Sequence, residues 1–121
     1  MLEVLLQSAA ARAIGQRVLV PAETLHVPHL IDLEIAQALR RLARAGVISN
    51  ERAEEALADL GELPLTRYPH AVLLPRIWRM RNKVSAYDAA YLALAEMLDA
   101  PVVTRDRALA RAGSHARVEV L

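Results

Sequence analysis

Residues 85–104 read SAYDAAYLALAEMLDAPVVT and join a helix pattern directly to a strand pattern. One face of the helix is predicted to be apolar, because apolar and aromatic residues recur there at three- and four-residue steps. They are Tyr87, Ala90, Tyr91, Leu94 and Leu98. Ser85 and Asp88 have the spacing of a capping box, which predicts that the helix spans Ser85–Leu98. The apolar run Ala100–Thr104 then predicts a buried strand.

Helix and strand patterns also alternate along the rest of the chain. Further helices are predicted at Leu2–Gln16, Ile31–Ala45, Glu51–Leu60, Tyr68–Arg81 and Arg107–Arg111. Further strands are predicted at Leu25–Val27, Leu63–Arg67 and Val118–Leu121. We expect Gly46 and Gly61 to end helices, Asn50 to cap one, and Pro75 to kink or restart another. Short apolar strands separated by helices predict an α/β fold with a parallel sheet.

Composition excludes several classes of protein. The chain has 121 residues, a formal net charge of +1 and no cysteine, so disulfides, zinc–thiolate sites and a cysteine nucleophile are ruled out. This length fits a single domain over residues 1–121. No apolar run approaches the roughly 18 residues that a membrane helix needs, and the first residues lack the pattern of a signal peptide. We therefore expect a cytoplasmic protein that does not bind membranes.

Acidic residues recur at one edge of the predicted sheet. Glu34 and Asp88 lie in the first turns of helices, and Asp106 follows the strand that ends at Thr104. In a parallel sheet these positions share the carboxyl edge, where ligands bind. Clustered carboxylates repel one another unless a cation lies between them, and oxygen ligands suit Mg²⁺ or Mn²⁺. The pattern predicts a divalent metal site.

Each acid also has a purely structural interpretation. Asp88 could complete the capping box, Asp106 could cap the next helix, and Glu34 could pair with Arg41 or lie in solvent. Asp32 lies two positions from Glu34 and therefore points elsewhere, as a residue that stabilises the helix N-terminus. The histidines lack metal-ligand spacing.

Two clusters of basic residues could bind phosphates. The densest one contains Arg76, Arg79, Arg81 and Lys83, with Trp78 among them. Arg40, Arg41 and Arg44 form the other. Such clusters are most often solvated faces, but beside a metal site they could hold phosphates on either side of a scissile bond.

Three motifs together resemble the PIN domain of VapC-type toxins. They are VPHLIDLEIAQAL at 27–39, SAYDAAYLALA at 85–95 and VVTRDRAL at 102–109. The order and spacing of the motifs fit over nearly the whole chain. The resemblance implies a three-layer α/β/α sandwich in which Glu34, Asp88 and Asp106 bind the metal and Thr104 assists them.

The same resemblance implies an activity and partners. It implies an Mg²⁺- or Mn²⁺-dependent endoribonuclease that is a toxin of a type II toxin–antitoxin system. A cognate VapB-type antitoxin would inhibit it, RNA would be its substrate, and it would form a homodimer. Arg76, Arg79, Arg81 and Lys83 are the candidates for contacts to that substrate.

One feature of the family pattern is missing from this chain. Similar chains begin with a short central strand that ends in a metal-binding Asp, whereas a helix is predicted here from Leu2. We therefore expect that Met1 is an internal start and that the chain is truncated relative to the family. The alternative function is a catalytically impaired relic that binds the antitoxin or RNA without turnover.

Overall fold

The computed structural model describes residues 25–104, 109 and 116–120. These residues belong to two compact units, one with residues 25 and 30–66 and the other with residues 26–29 and those from 67 onward. The helix predicted at Leu2–Gln16 lies outside the described residues, and so does the helix predicted at Arg107–Arg111 apart from Leu109. None of the described helices is both long and apolar enough to cross a membrane.

Helix α1, Leu30–Arg44, lies in the first unit. Helical periodicity predicts an apolar stripe of Ile31, Ile35, Leu39 and Leu42 on this helix, and the first three of these are buried while Leu42 is half-buried. The helix ends at a glycine, as predicted, because Gly46 has a φ of 73° that side chains with a Cβ rarely adopt. The N–H groups of Gly46 and Val47 donate to the carbonyls of Ala43 and Leu42, which completes a Schellman motif.

Helix α2, Asn50–Glu62, packs against α1 through buried Ala56 and Leu60. The prediction that Asn50 caps this helix is wrong by one residue: Ser49 is extended, and its side chain accepts a bond from the Arg52 N–H at 3.0 Å. Gly61 does not end the helix, since it lies inside the last turn. The helix instead stops where Leu63 becomes extended before Pro64, a conformation that proline favours in the preceding residue.

Strands β1, Leu25–Pro28, and β2, Leu65–Tyr68, form a two-stranded sheet close to their predicted positions. In the second unit, the N–H of His29 donates to the carbonyl of Tyr68 at 2.9 Å. The ring of His26 is hydrogen-bonded to the Tyr68 hydroxyl at 2.6 Å. These contacts give His26 a structural role.

Pro75 restarts the next helical stretch, as expected. A 3₁₀ turn at Ala71–Leu73 passes into α3, Leu74–Arg79, and Pro75 occupies the first turn of α3, where its missing N–H costs nothing. Leu73, Ile77 and Met80 are buried and anchor this segment.

Helix α4, Ala86–Leu98, packs against α3, the 3₁₀ turn and the following strand. Ser85 caps it, and its hydroxyl accepts the Asp88 N–H at 3.1 Å. The predicted apolar face is too narrow and wrongly includes Tyr87, which is 64% exposed. Burial extends instead around Ala89, Ala90, Leu92, Ala93, Leu94 and Ala95. The small alanines let neighbouring elements approach on more than one side.

Strands β3, Val102–Thr104, and β4, Val118–Val120, confirm parallel pairing. Val102 pairs with Val118 and Thr104 with Val120. The α/β class is therefore confirmed, and in the described part of the chain the strands pair as β1 with β2 and β3 with β4.

Candidate functional site

Asp88 is the best-defined of the predicted metal ligands. It occupies the first turn of α4, where the positive end of the helix dipole stabilises a carboxylate. The Ser85 hydroxyl accepts a hydrogen bond from the backbone N–H of Asp88, and Asp88 is exposed. Half of the capping box is therefore present, and the carboxylate side chain lies on the surface.

Glu34 lies on α1, in the first unit. It is exposed, between the buried positions Ile31 and Ile35, and it interacts with a neighbouring group. It therefore lies beside the apolar stripe of α1. Asp32 lies in the first turn of the same helix, as its structural interpretation requires.

Thr104 is the last residue of β3 and is half-buried. Asp106 lies outside the described residues. Glu34 belongs to the first unit and Asp88 to the second. The convergence of Glu34, Asp88 and Asp106 therefore stays a prediction.

Donor chemistry offers a test of the implied metal. Within residues 25–104, 109 and 116–120, no group of three or more carboxylate or imidazole side chains is placed to hold an ion. A complete site would need Asp106 in addition. The carboxylate oxygens of Glu34 and Asp88 are exposed hard donors, which suit Mg²⁺ or Mn²⁺ better than softer metals.

Arg76, the first member of the basic cluster, is engaged with a carboxylate on α4. Its Nε and Nη2 donate to the two oxygens of Glu96 at 2.5 and 3.1 Å. The hydrogen bond to Glu96 raises the pKa of the Arg76 guanidinium above its ordinary value, partial burial opposes the rise, and the Glu96 charge adds to it. This bidentate pair connects α3 to α4. No local sequence signal indicated it, since the partners are 20 positions apart.

The remaining cations of the cluster lie at the end of α3 and in the turn after it. Arg79, Arg81 and Lys83 are exposed. The guanidinium of Arg81 lies over the Trp78 ring, 4.9 Å from its centroid, and its Nη1 donates to the Trp78 carbonyl at 2.9 Å. The contact between Trp78 and Arg81 could have been predicted from the sequence, because residues three positions apart in a helical segment lie side by side. In the other cluster, Arg41 and Arg44 lie in the last turn of α1, where cations stabilise the helix end.

Comparison with known proteins identifies the family. The profile of the PIN domain matches residues 3–114. A VapC ribonuclease of Mycobacterium bovis is 48% identical over 110 residues, which cover 88% of this chain and 87% of the relative. Ribonuclease VapC1 of Mycobacterium tuberculosis is 43% identical over 88% of this chain and 81% of its own length.

A more distant relative extends the match along the chain. Ribonuclease VapC12 of Mycobacterium tuberculosis is 31% identical over 98% of this chain and 92% of its own length. The fold therefore defines a PIN-domain protein. Within that class, this chain belongs to the VapC family.

Proposed function

We propose that this chain is the toxin component of a type II toxin–antitoxin system and an endoribonuclease that hydrolyses RNA phosphodiester bonds. The observation that carries the proposal is 48% identity to a VapC ribonuclease over 87% of that protein's length. At this identity and coverage, an activity shared with the relative is the simplest interpretation. The α/β fold and the PIN match over residues 3–114 agree with it.

The proposed site consists of Glu34, Asp88 and Asp106, with Thr104 beside them. Their carboxylates would hold Mg²⁺ or Mn²⁺, which supplies a water of lowered pKa and neutralises charge on the phosphoryl oxygens. The hydrogen bond from the Asp88 N–H to the Ser85 hydroxyl fixes the backbone of Asp88 at the start of α4. This backbone would position the carboxylate that binds the ion. Thr104, at the end of β3, would donate a hydrogen bond to a carboxylate or to the phosphate.

The partners follow from the same assignment. A VapB-type antitoxin would bind the chain and inhibit it. Homodimer formation is supported by exposed apolar side chains such as Leu33 and Val47, 71% and 67% exposed, since association removes such surface from water. Residues 1–121 would form one PIN domain, and a cytoplasmic location agrees with an RNA substrate and with the absence of cysteine from the sequence.

The experiment compares cleavage of RNA with single-stranded loops by the purified chain, with Mn²⁺ or with a chelator. We expect cleavage that requires the metal and that Asp88→Asn abolishes, because an amide cannot supply the negative charge. Asp59→Asn is the matched control: Asp59 is another exposed helical aspartate, and this variant should keep full activity. Identical RNA patterns with and without metal, together with tight antitoxin binding, would support the non-catalytic relic instead.

A further inference from the structure

We propose that Trp78 is a stacking platform for a base of single-stranded RNA, held in place by Arg81 and flanked by phosphate-binding Arg79 and Lys83. This inference rests on the proposed function and identifies a substrate-binding residue that the carboxylate site does not include. It assigns a role to the single tryptophan of the chain.

The first observation is that a firmly anchored segment exposes its largest side chain. Ile77 and Met80 are 8% and 2% exposed, whereas Trp78 between them is 68% exposed. The backbone is fixed on both sides, so the indole has a defined place on the surface. The exposed indole offers a large, flat apolar surface, and burial of that surface by a ligand would be favourable.

The second observation is that Arg81 orders the indole. Its guanidinium lies 4.9 Å from the ring centroid, and it also donates to the Trp78 carbonyl at 2.9 Å. The cation therefore covers one face of the ring and restricts its rotation. Because most of the Trp78 surface is still exposed, the opposite face is left for a flat ligand. Stacking of bases on ordered aromatic rings is the usual way that proteins bind single strands.

The third observation is the charge around the ring. Residues 63–87 contain no Asp or Glu, and they carry Arg67, Arg76, Arg79, Arg81 and Lys83. Arg76 is paired with Glu96 on α4. The other cations close to Trp78 in the sequence, Arg79, Arg81 and Lys83, are exposed. A chain segment that combines an exposed aromatic side chain with several cations and no acids of its own complements a base and its phosphates.

The fourth observation is that Trp78 and Asp88 lie close together along the chain. Trp78 lies just before, and Asp88 just after, a short turn that is closed by hydrogen bonds from Lys83 and Val84 to the Met80 carbonyl. Both residues belong to the second unit. A nucleotide on Trp78 would thus be held by the segment that leads directly into the helix of the proposed metal ligand.

The test uses the tryptophan itself as the probe. The full chain is titrated, with chelator present to prevent cleavage, with an oligouridine of 12 nucleotides and with an abasic strand of the same length. We expect the oligouridine to quench the indole fluorescence and the abasic strand to bind more weakly with little quenching. Affinity is also measured by anisotropy of labelled RNA, so that variants without tryptophan can be compared.

Trp78→Ala should weaken RNA binding by about 5- to 150-fold, the range for loss of one stacked base, and Trp78→Phe should recover part of it. Arg79→Ala should weaken binding and lower the slope of log affinity against log salt by about 0.7 for one lost phosphate contact, whereas Arg81→Ala should weaken binding because the indole is no longer held in place. Met97→Ala is the control, since Met97 is a half-exposed apolar residue of α4 and its loss should change nothing. Circular dichroism and thermal melting verify that each variant folds.

Two binding results would overturn the inference. One is an unchanged RNA affinity in Trp78→Ala without any quenching in the parent chain. The other is concentration-dependent self-association that Trp78→Ala abolishes while RNA affinity stays constant, which would make the patch a protein interface. Base-dependent quenching without metal-dependent cleavage would contradict the proposed function and leave the platform intact. Normal cleavage by Trp78→Ala, with the KM unchanged, would contradict the platform alone.

Discussion

The Arg76–Glu96 pair between α3 and α4 allows a quantitative prediction. The two side chains are 31% and 13% exposed and share two hydrogen bonds. Fully exposed ion pairs contribute about 0.2–1 kcal/mol, whereas hydrogen bonds to charged groups contribute about 1.5–3 kcal/mol. Since the pair is partly solvated, we expect a coupling free energy of about 1–2 kcal/mol. Glu96→Gln alone should lower the Tm by roughly 4–10 °C in a chain of this size.

The assay is a double-mutant cycle with Arg76→Gln, Glu96→Gln and the double variant, read by urea unfolding. The matched control is the pair Arg52–Glu55 on α2, which lies at 3.7 Å with the Glu55 side chain 70% exposed. We expect a coupling of about 0.3–0.5 kcal/mol for this control, and a loss of that coupling at high salt. If both cycles give the same small coupling, the pair does not hold α3 against α4, and the reasoning from burial and bidentate geometry is refuted.

Two further predictions concern the helix ends. Gly46→Ala should destabilise the chain by about 1–2 kcal/mol because φ at residue 46 is positive. Gly61→Ala should stabilise it by about 0.5–1 kcal/mol because residue 61 lies inside α2. Urea unfolding should therefore show changes of opposite sign in the free energy of unfolding of the two variants. Ser85→Ala should cost about 1 kcal/mol through loss of the bond to the Asp88 N–H, and Ser85→Thr should recover most of it; equal stability of the two variants would contradict the capping role.

Local patterns predicted the elements that local forces determine. The stripe Ile31, Ile35 and Leu39 follows from helical periodicity, and the Ser85 cap follows from a three-residue spacing. The error at the start of α2 also has a local cause. Ser49 and Asn50 are both good caps, and only the backbone conformation of Ser49 selects between them.

Contacts between distant residues could not be predicted from the same patterns. The face of α4 was misjudged because burial of Ala89, Leu92 and Ala93 depends on which elements surround that helix. The engagement of Arg76 depends on Glu96, 20 positions away. For the site, sequence reasoning placed Glu34 and Asp88 near helix starts, whereas their meeting with Asp106 depends on the tertiary fold and stays a prediction.

The most direct test of that prediction is Mn²⁺ binding measured by electron paramagnetic resonance on the full chain. We expect Glu34→Gln, Asp88→Asn and Asp106→Asn each to weaken Mn²⁺ binding by about 10-fold or more, because each removes one charged oxygen donor, while Asp59→Asn binds as the parent does. Parent-like Mn²⁺ affinity in both Glu34→Gln and Asp88→Asn would contradict a shared metal site.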